Sequence, residues 1–98
     1  MDGVLGNVNV ESKKDKEEYY SVKVYSVLES SLLFKGEQLV KLLILEDTKG
    51  RRQLFQFDNT SSLWGVINTL VVGDKIQLCW LISVKNVSNI ITDARLLD

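Results

Sequence analysis

The chain has 98 residues, 13 acidic against 12 basic with no histidine, for a net charge of −1, and 45% of it is apolar. That is one folded domain with a modest core, and its near-neutral balance gives no whole-chain pull toward nucleic acid or an anionic membrane, so any such binding rests on a local patch. A single cysteine, Cys79, excludes an intrachain disulfide, and with no histidine it also excludes the common zinc-ligand sets.

Residues Met1 to Glu18, "MDGVLGNVNVESKKDKEE", read as a tail whose second half is polar and mixed in charge, with Val4, Leu5 and Val8 able to dock. Met1 favours a natural N-terminus. The folded domain is expected over residues 19–98. "YYSVKVYSVLES" opens it as a strand in which Tyr20, Val22 and Val24 alternate with Ser21, Lys23 and Tyr25. "SLLFKGE" follows as a loop, with Gly36 at a turn. "QLVKLLILED" is apolar almost throughout and fits a strand or a helix by periodicity. Its shortness, the turn after it and the strand pattern beyond favour a strand. Lys41 then sets Val40, Leu42 and Ile44 inward and Lys41, Leu43 and Leu45 outward.

"DTKG" is a turn signal, since Asp47 can accept from the backbone ahead of it and Gly50 can take a positive φ. "RRQLFQFD" alternates, with Phe55 and Phe57 on the core side and Arg52, Leu54 and Gln56 opposite. "DNTSSLWGVINTL" changes period. Leu63, Val66, Ile67 and Leu70 fall at helical spacing after candidate caps at Thr60, Ser61 or Ser62. "VVGDK" turns into "IQLCWLISVK", where Ile76, Leu78, Trp80, Ile82 and Val84 alternate with outward residues that include Leu81. "NVSN" is a further turn. "IITDARLL" closes the chain, with Ile90, Thr92, Ala94 and Leu96 on one side. No proline interrupts a ladder.

Five strands with one short helix between the third and fourth resemble the OB-fold, a five-stranded all-β Greek-key barrel. The resemblance is carried by "VKVYSVLESSLLFKGE", by the hairpin "LLILEDTKGRRQLFQF" and by "LVVGDKIQLCWLISVKN". It is closest in style to replication protein A-type domains and to the small single-OB subunits of genome-maintenance and telomere complexes. What it implies is single-stranded DNA, or RNA, bound across the second and third strands between two clamp loops, Glu29 to Glu37 and Lys85 to Asn89. The residues expected to meet it are Lys23, Tyr25, Phe34, Lys35, Lys41, Arg52, Gln56 and Lys85. Lys49 and Arg51 read as a solvated hairpin tip, with a phosphate contact as the other reading. A nuclear location follows from the resemblance, with the cytosol open.

The supply of cations and free aromatics is thin for tight binding. An outward stripe of Leu43, Leu45, Leu54 and Leu81, together with Trp64, would suit a partner interface with other OB-fold proteins. Lacking histidine and recognisable paired carboxylates, with Cys79 in an apolar run, the chain is not expected to be an enzyme. "VVGDK" lacks the pattern of a phosphate-cradling loop. No cofactor, metal, small-molecule substrate or membrane is expected.

Overall fold

The computed structural model describes residues 17–97, so the expected tail lies outside the described residues except for Glu17 and Glu18. The elements in order are β1 (Glu18–Lys35), β2 (Gln38–Asp47), β3 (Arg52–Asp58), α1 (Trp64–Ile67), β4 (Lys75–Ser83) and β5 (Ser88–Leu97). All ladders are antiparallel, and they join into one five-stranded sheet in the order β3-β2-β1-β4-β5. Among the described residues, the expected all-β class with a single short helix after the third strand is what forms.

Strand β1 is the spine. Its first part, Glu18 to Ser26, pairs with β4, and its later part, Tyr25 to Lys35, pairs with β2. Only Tyr25 and Ser26 are flanked on both sides, so the two halves of the sheet part company there. A bulge between Val27 and Glu29 bends the strand just beyond this point. Val27 donates to the Asp74 carbonyl at 2.9 Å and accepts from Gly73 N–H at 3.0 Å, tying the bend to the turn before β4. Gly73 makes that turn with φ 98°, in the left-handed region open to glycine.

The sheet curls strongly. In a flat sheet β3 and β4 would lie about 14 Å apart, three strand spacings. Instead the rings of Phe55 on β3 and Trp80 on β4 are 6.0 Å apart, and Tyr25 meets Phe55 edge-on at 5.8 Å. One buried cluster takes side chains from all five strands and from the helical segment: Tyr25, Val27, Leu43, Leu45, Phe55, Ile67, Leu70, Ile76, Leu78 and Ala94. The edge strands β3 and β5 share no ladder, and α1 touches both of them.

Three sequence expectations are corrected here. On β2 Val40 is buried as expected, but beyond it the faces are exchanged: Leu43 and Leu45 are fully buried and Lys41 is 6% exposed, while Leu42 and Ile44 are half-buried on the other face. On β1, Tyr25 is in the core at 5% exposure, whereas Tyr20 and Val22 are exposed. The loop expected from Glu29 to Glu37 is instead strand up to Lys35. It closes in a two-residue turn, with Gly36 at φ 65° where type II′ hairpins place glycine. All residues from Ser31 to Gln38 are exposed, so this hairpin projects as an arm.

Smaller differences follow from local bonding. The helix has no side-chain cap; its N-cap is Leu63, and Ser61 Oγ accepts from Leu63 N–H at 3.1 Å. On β5 a bulge opposite Cys79 and Trp80 adds Thr92 to the count, which turns Ile91 toward the core and leaves Ile90 exposed. The expected second clamp shrinks to Val84–Val87, where Val87 takes φ 49°.

Candidate nucleic-acid interface

The hairpin that joins β2 to β3 is organised by one carboxylate. Asp47 accepts from the backbone N–H of Lys49 at 2.8 Å, from that of Arg51 at 3.0 Å, and from Arg51 Nε–H at 2.9 Å. The backbone N–H of Arg51 is the chief reason its carboxyl stays below the ordinary value of 3.8. Gly50 completes the turn at φ 82°. Beside it, Arg52 Nε–H donates to Glu46 Oε2 at 3.1 Å across the ladder.

This hairpin end meets β1, because Asp47 stands opposite Tyr25. The result is a hollow of about 380 Å3 lined by Lys23, Tyr25, Asp47, Arg51, Arg52 and Gln53. A second hollow of about 460 Å3 shares Lys23, Asp47 and Arg51 and adds Val22, Val24, Thr48 and Lys49. Four cations thus border the pair, with the carboxylate of Asp47 in their midst. At the floor, burial pushes the Tyr25 hydroxyl above its usual 10, partly offset by the nearby Trp80 indole. That indole N–H is buried without a hydrogen bond of good geometry.

Of the eight residues expected at an interface, Lys23 and Arg52 come together at this hollow. Tyr25 lines it, but as a core residue with no face free for stacking. Lys41 is withdrawn altogether: its stem lies in the interior and its ammonium donates to the Asn68 carbonyl at 3.2 Å, just past α1. Phe34 and Lys35 sit at the tip of the projecting arm, with Phe34 77% exposed. From Lys23 to Lys35 along β1 is about 40 Å at the usual strand rise. Gln56 is exposed on β3 opposite Leu42, and Lys85 lies in the β4–β5 turn beside Glu17 and Glu18.

The expected partner stripe also divides. Leu43 and Leu45 are core. Leu54 remains exposed on the outer face of β3, next to Leu28 and Ile44. Leu81 is half-buried on the other half of the sheet, opposite Tyr20 and Ile90, and Trp64 is half-buried on α1. Lys49 and Arg51, set aside as a solvated tip, belong to the cationic border. The sequence signal for them was the "DTKGRR" run itself; its meeting with Lys23 depends on β1 pairing, which the run does not encode. Among the described residues no group of three or more histidine, cysteine or acidic side chains could hold a metal, and no helix is long and apolar enough to cross a membrane.

No family model, no curated protein and no solved structure matches the chain.

Proposed function

We propose that this chain is an OB-type barrel that binds single-stranded DNA and works within a larger replication, repair or telomere-type assembly. Two facts support the barrel: the order β3-β2-β1-β4-β5 and, among the described residues, a single helix after β3 that touches both edge strands. Closing such a sheet would bring β3 beside β5, which is the way a five-stranded Greek-key barrel removes its edges. The observation that carries the binding reading is the convergence of Lys23 from β1 and Arg52 from β3 on one open hollow. Phosphate oxygens need cations that reach solvent, and these two do.

Fluorescence anisotropy with a labelled single-stranded oligonucleotide at low salt tests it. Binding in the micromolar range is expected, weakened several-fold by Lys23→Ala with Arg52→Ala. Absence of binding at tens of micromolar, or indifference to that double substitution, would sink the reading.

A second reading, an OB scaffold subunit for protein assembly, is favoured by a different observation. The arm exposes Leu32, Leu33 and Phe34, and Leu54 lies exposed on the outer face of β3. Apolar surface grouped in this way marks interaction sites. A chain that stays monomeric by light scattering and recovers no partner, unchanged by Phe34→Ser or Leu54→Ser, would count against it.

A further inference from the structure

The two hollows at the β2–β3 hairpin end share Lys23, Asp47 and Arg51 as a common wall. One opens beside Tyr25, Arg52 and Gln53. The other runs along Val22, Lys23 and Val24 and the turn residues Thr48 and Lys49. The hairpin end therefore offers two adjoining cationic recesses that share the same two cations.

Its donors are already oriented. A planar guanidinium engaged at Nε has its plane fixed and keeps its Nη hydrogens for a second acceptor. Arg51 is held this way by Asp47 and Arg52 by Glu46, yet both side chains are 68% exposed. The turn beneath them is fixed by the Asp47 carboxylate. A ligand meeting these donors does not have to order them, which lowers the cost of binding. Neither recess presents a free aromatic face: Tyr25 is buried edge-on against Phe55. The chemistry suits phosphate oxygens rather than bases, and two recesses suit two linked phosphates.

We infer that the hairpin end is a phosphate clamp, in which two neighbouring phosphates of a bound single strand occupy the two recesses with Arg51 and Lys23 between them. This rests on the single-strand reading above and adds the path of the strand, which passes over the β2–β3 turn. It does not run along the outer β2–β3 face between two clamp loops.

The test compares the wild type with Lys23→Ala/Lys49→Ala and with Lys49→Ala alone, on a dT oligonucleotide and on an abasic strand of the same length. The clamp predicts that the double variant loses affinity several-fold at low salt, equally on both strands. It also predicts that the slope of log K against log salt flattens by about 1.4 for the pair and about 0.7 for Lys49→Ala. Lys49 lies on an exposed turn and makes no side-chain bond to another described residue, so its removal leaves the fold intact. If the wild type binds but the slope is unchanged, the clamp is wrong and the single-strand reading stands. A loss on dT that is absent on the abasic strand assigns these residues to bases and also overturns it. If the wild type binds neither strand, the single-strand reading fails and takes the proposed occupant with it; pyrophosphate shifting the amides of residues 47–53 would then assign the recesses to a free phosphate.

Discussion

Lys41 shows how a charged residue can serve the core. Its stem is buried against the interior while its ammonium reaches the carbonyl of Asn68, a group left free where the helix ends. Lys41→Ala loses both stem packing and a charged hydrogen bond. A loss of about 1.5–3 kcal/mol is expected in urea unfolding, from the range for bonds to charged groups. Lys41→Met, which keeps the stem, is expected to lose clearly less, and equal losses would contradict this account. Val87 carries the opposite kind of cost. A β-branched residue at φ 49° is strained, and Val87→Asn is expected to gain about 1 kcal/mol, or roughly 4–8 °C in Tm. Asp47 and Asp58 give a pH signature. Both carboxyls are held below 3.8, Asp47 chiefly by the Arg51 backbone N–H and Asp58 chiefly by the Thr60 hydroxyl. A depressed folded-state value stabilises the fold fully above 3.8, and that share is lost as pH falls through the lowered values. Unfolding midpoints measured from pH 5 to pH 2 should fall less for Asp47→Asn/Asp58→Asn than for the wild type.

At the scale of elements, the strands and their order along the chain are legible because the alternation is clean in β3 and in β4 as far as Ile82; at the end of β4 Ser83 is buried and Val84 exposed, the reverse of the expected sides. Phe55, Ile76 and Leu78 are buried where period two puts them. The faces of β1, and of β2 beyond Val40, are the reverse of the expected ones, and for one physical reason. Both strands carry apolar residues on each side, so period two leaves the buried side open, and each has a lysine on the side that faces the core. Lys23 shares the core side with Tyr25 and reaches water only because it stands at the open end. Lys41 shares it with Leu43 and reaches a carbonyl. The bulges were invisible for a different reason, since an extra residue such as Thr92 shifts phase without leaving a pattern of its own. The exchanged faces make a direct prediction. Leu43→Ala should cost about 3–5 kcal/mol as a cavity in a packed core, while Leu54→Ala on the exposed face should cost little. Equal costs would argue for the other register.

At the scale of the molecule, the expected binding set does not form one groove. It separates into the cationic hairpin end, the projecting arm with Phe34 and Lys35, and the short β4–β5 turn with Lys85. The sequence could list these cations, but their grouping depends on which strand lies beside which. Tyr25 opposite Asp47 is the pairing that carries Lys23 to Arg51 and Arg52. With a net charge of −1, a small local cluster must supply the attraction that the whole chain does not. The most direct measurement is a titration of 15N-labelled protein with a single-stranded oligonucleotide at low salt, followed by amide chemical shifts. The account predicts saturable shifts concentrated at residues 22–25 and 47–53. Shifts confined to the arm at residues 31–38, or none at all, would contradict it.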